Sequence, residues 1–382
     1  MRILVDIRHL SSPEPSGIGE YTTQLLRALL RMDQTNAYTF LSSGRLHPKP
    51  PQEMLEHAPD DRIRFVHVNT PNKLLNLRTL LLGHPTLNWR VPEPIDLLFL
   101  PNLNIVSLPS DIPSVLTVHD LSWKFFPELY SRKMRLWHAA VRPQKLIASC
   151  AHLITPSAST KQDLVETFQV ETDRVQVIPH GKDSTFAPKM EARDHGVRSR
   201  LRLPRRFALF VGTIEPRKNV PALIEAVHAY RQTTADDLHL VLCGKWGWNS
   251  PHVRHLLWRR DYRSWVHPIG YVPGQDRPAL YRSAQVLLWP SLYEGFGLPI
   301  LEAMASGLPV ITSRVSSLPE LTGGAAILID PYNSVDLTEA IRELVQSAPL
   351  RQQMIQKGLQ KSQDYSWEKS ALQTRNLFEK II

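Results

Sequence analysis

The chain has 382 residues, 42% hydrophobic and 21% charged, which is more than one hydrophobic core usually serves. Only two cysteines occur, Cys150 and Cys243, and this excludes a disulfide framework and a cysteine-rich zinc site. The net charge of +9 calls for an anionic partner, but the basic residues are dispersed. Small groups such as Arg132/Lys133/Arg135 and Arg202/Arg205/Arg206 lack a long basic tail or a nucleic-acid module, so nucleic acid is not the expected partner.

Residues 3–7 are apolar enough for a first strand, and the start Met1-Arg2-Ile3-Leu4-Val5-Asp6 turns charged too early for a secretory signal. No run of about 18 apolar residues follows anywhere, so a cytoplasmic chain is expected, without a transmembrane helix. Residues 20–32 carry Leu25, Leu26, Leu29 and Leu30 at helical spacing. Strand-like runs come next at 38–41, 63–68, 97–100, 114–118 and 152–155, with room for crossover helices between them. Within this half, residues 73–82 are apolar with basic punctuation. They suit either a buried crossover helix or a segment lying on an anionic membrane surface. Residues 175–181 read as a last strand and a breaker pair, and 182–206 as a polar linker with a short helix. The alternation restarts at 207–212 and continues through 238–243, 266–269, 286–289, 310–312 and 326–329. Helices fit at 220–232 and 299–306.

Strands alternating with helices predict parallel sheets covered on both faces. The expected fold class is therefore α/β, with two doubly wound Rossmann-like domains facing across a cleft. Residues 1–180 form the first and 181–366 the second, and an amphipathic terminal helix, 367–382, is expected to pack back on the first. Ligands of such folds sit at strand C-terminal ends.

The sharpest motif is EGFGLPILEAMASGLPV, residues 294–310, which follows a strand and opens a helix with a proline tolerated in its first turn. Gly295 and Gly297 allow main-chain amides to approach a ligand, and the helix start offers unpaired donors to a diphosphate or to sugar oxygens. Glu302, one turn into the helix, has two acceptor oxygens suited to ribose hydroxyls, whereas Glu294 at the strand end would reach sugar hydroxyls. Lys218, just after strand 207–212, is a point charge suited to a diphosphate leaving group, with Arg217 beside it. His119, after strand 114–118, offers a neutral imidazole to a sugar hydroxyl. The loop 16–20 has Gly17 and Gly19 but begins too far from the first strand, and lacks the third glycine, for a dinucleotide fingerprint. No Asp-x-Asp triplet and no H-E-x-x-H spacing occurs, so neither a metal nor a cofactor is expected.

The string 294–310, with its glutamates eight positions apart, resembles the E-x(7)-E signature of retaining glycosyltransferase family 4, whose fold is GT-B. Residues 211–219, VGTIEPRKN, are similar to the family's G-x-x-x-x-R-K-N loop. Thr117-Val118-His119-Asp120 resembles its histidine motif, and Ser16-Gly17-Ile18-Gly19-Glu20-Tyr21 its N-terminal glycine loop. The resemblance spans nearly the whole chain. It implies an acceptor-binding first domain, a donor-binding second domain and no divalent ion. It further implies donor contacts from Gly17, Gly19, Arg217, Lys218, Glu294, Phe296, Gly297, Leu298 and Glu302, with His119, Lys218 and Glu294 at the reaction centre. Thr213 departs from the pattern, since many members have arginine there.

EPRKN together with TVHDLS resembles bacterial mannosyltransferases of polysaccharide and O-antigen assembly. The expected donor is GDP-mannose, with UDP-sugars open, and the acceptor a glycan or lipid-linked hydroxyl, met at the inner face of an anionic membrane. Two rival readings are a sugar-nucleotide epimerase or hydrolase on the same architecture and a non-catalytic nucleotide-sugar-binding protein.

Overall fold

The computed structural model describes residues 1–11, 16–44, 52–55, 60–248 and 250–382. They divide into two compact units. The first comprises Met1–Leu121, Arg132–Gly181 and Ser366–Ile382, and the second Ser122–Ser131 and Lys182–Tyr365.

In the first unit, β1 (Arg2–Asp6), β2 (Ala37–Ser43), β3 (Ile63–Val68), β4 (Leu97–Leu100), β5 (Ser114–Thr117), β6 (His152–Thr155) and β7 (Val175–Val177) form one sheet. Its order is β3-β2-β1-β4-β5-β6-β7, and every pairing is parallel. Runs such as LLFL in β4 are buried along their whole length, as expected of strands covered on both faces. The chain steps outward from β1 to β3 and then returns to the other side of β1 to add β4. The strand order therefore reverses between β1 and β4.

The second unit repeats the plan with β8 (Phe207–Val211), β9 (His239–Cys243), β10 (Val266–Gly270), β11 (Val286–Trp289), β12 (Val310–Ser313) and β13 (Ile327–Ile329). Their order is β10-β9-β8-β11-β12-β13, again with every pairing parallel and with the reversal between β8 and β11. Phe210 and Trp289 stack at 5.2 Å within a single large core. The expected short helix of the 182–206 stretch is Arg193–Arg200, anchored by the bidentate pair of Arg282 with buried Asp194 at 2.7 Å.

Helix Trp367–Ile381 belongs to the first unit and packs along helix Gly17–Met32. Ser366 caps it by accepting from the Lys369 amide at 3.2 Å, Ser370 Oγ donates to the Pro179 carbonyl at 2.5 Å, and Phe378 meets Phe99 edge-on at 5.2 Å. Gly181 lies so close to this helix that a Cβ would stand 2.1 Å from the Trp367 nitrogen.

Ser122–Ser131, which the sequence reading leaves inside residues 1–180, groups with the second unit instead. Aromatic contacts are the reason. Tyr130 stacks on Trp248 at 5.6 Å, Trp248 Nε1 donates to the Leu129 carbonyl at 2.7 Å, and Phe125 and Phe126 lie 5.9 and 5.8 Å from Tyr293. Helix Asn72–Leu82 is a crossover helix, yet its buried residues are only Leu75 and Thr79.

Candidate active site

Strand order reverses beside β8 in the second unit, so the turns leaving β8 and β11 diverge and leave a crevice at their C-terminal ends. After β8, Gly212 continues the ladder through its amide to the Cys243 carbonyl at 2.8 Å. Any Cβ there would stand 2.9 Å from the Trp289 ring. A 3-10 turn, Pro216–Lys218, then delivers Arg217 and Lys218. After β11, the Glu294 amide donates to Ser316 Oγ at 2.9 Å, and Ser317 Oγ donates to the carbonyls of Glu294 and Phe296. The two turns are joined directly by the Leu292 amide, which donates to the Arg217 carbonyl at 2.9 Å.

Four charged side chains meet in this place, and all are largely buried. Lys218 Nζ bonds Glu294 Oε1, which also accepts from Ser291 Oγ at 2.7 Å and Trp289 Nε1 at 3.2 Å. Arg217 pairs with Glu294 Oε2 at 2.9 Å and with Glu215 at 3.0 Å. The Lys218 ammonium also lies 4.5 Å above the Trp289 ring, where it gains from the ring quadrupole. Two cations and two carboxylates cancel, which is what makes their burial tolerable. Burial alone would raise the Glu294 pKa, but the charges of Arg217 and Lys218 and the bonds from Lys218 and Ser291 outweigh it and hold it at about 2. Burial, and then Arg217, pull Lys218 below the usual lysine range against the pull of Glu294 and Glu215. Burial raises Glu215 despite both cations. A second anion brought here would compete with Glu294 and Glu215 for the two cations.

The sequence reading has Glu294 reaching sugar hydroxyls, but here its carboxylate holds the two cations in place, so a hydroxyl would compete for it. Phe296 is buried and meets Tyr365 edge-on at 5.7 Å, leaving only its main chain to face a ligand. Gly297 sits at φ 113° as the N-cap of helix Leu298–Ala305, without a side-chain cap. In that position the Leu298 amide has no carbonyl one turn back. Glu302, inside this helix, accepts from Tyr281 Oη at 2.6 Å and pairs with Arg277 at 3.2 Å. Burial and the adjacent carboxylate drive the Tyr281 hydroxyl well above its ordinary range, so it stays a donor.

In the first unit, His119 stands one strand beyond the reversal between β1 and β4. His119 follows β5, and Pro101, whose carbonyl accepts from His119 Nε2 at 2.8 Å, follows β4. A carbonyl only accepts, so Nε2 carries the proton and Nδ1 is left as the acceptor of the neutral ring. Burial pulls His119 below the usual histidine range, against the Pro101 bond and Asp120, which favours that neutral form. Tyr21 meets His119 edge-on at 4.7 Å and lies 4.6 Å from His180, which stacks on Trp367. Beside them, burial depresses His9 to about 4.

Gly17 and Gly19, expected in a loop, form the first turn of helix Gly17–Met32 instead, because Ser16 Oγ accepts from the Gly19 amide at 3.2 Å and caps it. Sequence reasoning also missed Glu215, Ser291, Arg277, Tyr281, Tyr21 and His180. A serine three residues before Glu294 was the only local signal among these. Among the described residues, no group of three or more His, Cys, Asp or Glu side chains is placed to hold a metal ion.

Comparison with known proteins places the chain in a family. The family model "Glycosyltransferase Family 4" matches residues 15–186, and "Glycosyl transferases group 1" matches residues 195–361. The chain is 34% identical over 268 residues to the O-antigen chain mannosyltransferase B of Escherichia coli, covering 70% of each. Among solved structures, sucrose-phosphate synthase from Thermosynechococcus elongatus aligns at a TM-score of 0.75 with 19% identity, over 100% of this chain and 98% of that one. HepE from Anabaena in complex with UDP-glucose aligns at 0.74 with 17% identity, over 100% of both chains, and at such identities the likeness concerns the fold. The chain thus belongs to glycosyltransferase family 4, with the two parallel-sheet Rossmann-like units of the GT-B fold, is a glycosyltransferase, and is similar to bacterial mannosyltransferases of O-antigen assembly.

Proposed function

We propose that the protein transfers mannose from GDP-mannose to a hydroxyl of a glycan or lipid-linked acceptor, with retention at the anomeric carbon and without a metal ion, at the inner face of the membrane. The observation that carries this reading is the joining of Lys218, Arg217 and the Gly297 turn at one strand reversal, where two cations and main-chain amides converge. A diphosphate seated there would draw Lys218 and Arg217 from Glu294. As the bond from the anomeric carbon to the leaving phosphate oxygen breaks, the fixed ammonium and the Leu298 amide stabilise the growing charge. The acceptor hydroxyl bonds to the same face, and its proton passes to the departing phosphate. Glu302, held by Arg277 and Tyr281, accepts from the ribose hydroxyls, and the neutral imidazole of His119 in the first unit is suited to accept from a sugar hydroxyl. Mannose is favoured by the relative from Escherichia coli, whereas the UDP-glucose complex of HepE keeps UDP-sugars as the comparison arm.

The experiment is a thermal-shift panel of GDP- and UDP-sugars in EDTA, because stabilisation tracks affinity. It is followed by NMR of the product's anomeric configuration. The largest shift should come with GDP-mannose, and the product should be the α-anomer. An inverted product, or donor turnover without any acceptor, would replace the proposal with an inverting enzyme or with the hydrolase or epimerase reading.

A further inference from the structure

The first unit carries a surface for which the transfer chemistry has no use. On helix Asn72–Leu82, Leu74, Leu77, Leu81 and Leu82 are 58%, 52%, 72% and 65% exposed. On helix Arg132–Val141, Leu136 is 72% and Trp137 37% exposed, and Val141 is the buried residue. Scattered exposed leucines need no explanation, but six large apolar side chains on two short helices do. A groove of about 370 Å³ opens between these helices and helix Pro143–Ser149. It is lined by Leu80, Leu81, Leu108 and Leu146 together with Arg142 and Lys145. That volume falls within the roughly 300–1,000 Å³ of small-molecule sites.

Charge supplies the second, independent observation. The three helices and Arg142 between them carry Lys73, Arg78, Arg132, Lys133, Arg135 and Lys145, all exposed, and no Asp or Glu at all. Ordinary solvated helices mix both signs. Basic residues interleaved with Leu and Trp are instead the composition of a helix lying at a membrane interface. A nucleic-acid partner would account for the cations and leave the leucines without a role.

We infer that this face docks the protein on an anionic phospholipid bilayer. The exposed leucines and Trp137 enter the boundary between headgroups and acyl chains, the basic side chains meet lipid phosphates, and the groove receives part of one lipid. The inference deepens the reading of a lipid-linked acceptor above, while its test is independent of donor chemistry.

The full chain would be sedimented with vesicles of phosphatidylcholine alone or mixed with phosphatidylglycerol, at low and high salt. Two double variants, Leu77→Glu with Leu136→Glu and Arg132→Glu with Arg135→Glu, would be run beside it. Each basic residue near an anionic leaflet contributes about fivefold. Binding should therefore be at least tenfold stronger to the anionic vesicles, weaken in high salt, and fall at least tenfold in either variant. Thermal midpoints and their rise with donor nucleotide should stay unchanged, because the altered side chains are exposed. Equal partition onto neutral vesicles would overturn the inference, and so would wild-type binding by either variant. A duplex oligonucleotide bound more tightly than the vesicles and indifferent to the leucine changes would also overturn it. Vesicle binding by a chain that shows no donor response would overturn the donor reading alone.

Discussion

Glu294 binds both cations of the cluster, and its ionisation ties site to stability. Its pKa lies at about 2 in the folded chain against an ordinary 4.5, so its contribution is complete above about pH 4.5 and is lost as pH falls toward 2. The shift corresponds to on the order of 3 kcal/mol. Glu294→Gln should lower stability at pH 7, because it leaves Arg217 and Lys218 buried without that charge, and should flatten the acid limb of stability against pH in chemical unfolding. An acid limb as steep as that of the wild type would refute the assignment. Glu302→Gln should weaken nucleoside-diphosphate binding by about tenfold, the low end of a charged hydrogen bond's worth, read by titration calorimetry with GDP, and should also lower the thermal midpoint of the free protein, because it leaves Arg277 without its carboxylate. Lys218, Glu302 and His119 were legible in the sequence because each follows a strand end or stands in a distinctive string. Arg277 and Tyr281 were not, because a partner 21 to 25 positions away leaves no local periodicity.

At the scale of elements, all thirteen strands among the described residues were legible, because parallel strands covered on both faces are short apolar runs bounded by breakers. Boundaries moved by a residue or two, as with β1 and β12. The start of helix Gly17–Met32 was missed because two glycines read as a loop, whereas the Ser16 cap makes them helical. Ser122–Ser131 was missed for another reason. Its Phe125, Phe126 and Tyr130 look locally like core residues, and only the distant Tyr293 and Trp248 decide what they pack on. Two glycines give sharp tests at this scale. Gly297→Ala places a methyl at φ 113° and 3.1 Å from Leu321, so about 1–3 kcal/mol of strain would fall on the turn that presents the Leu298 amide. The expected result is a kcat/KM at least tenfold lower, with the fold retained by circular dichroism. Gly181→Ala would drive a methyl into the backbone of Trp367. It should unseat helix Trp367–Ile381, seen as earlier proteolysis of the C-terminal segment and a lower thermal midpoint.

For the whole molecule, one plan is used twice, and in the second unit Lys218, Arg217 and Glu294 meet at the reversal of its strand order. That follows from topology, since only there do neighbouring loops diverge to leave a crevice. Of the cations behind the net charge of +9, Lys218 is buried and Arg217 largely so, whereas Lys73, Arg78, Arg132, Lys133, Arg135 and Lys145 of the first unit are exposed. No helix among the described residues is long and apolar enough to cross a membrane. The central claim is that fixed protein cations at the β8/β11 reversal receive the donor's diphosphate. Calorimetric titration of GDP in EDTA into the wild type and Lys218→Ala tests it most directly. The account predicts metal-free binding that weakens at least tenfold on loss of the ammonium, and equal affinities, or binding only when a divalent ion is added, would contradict it.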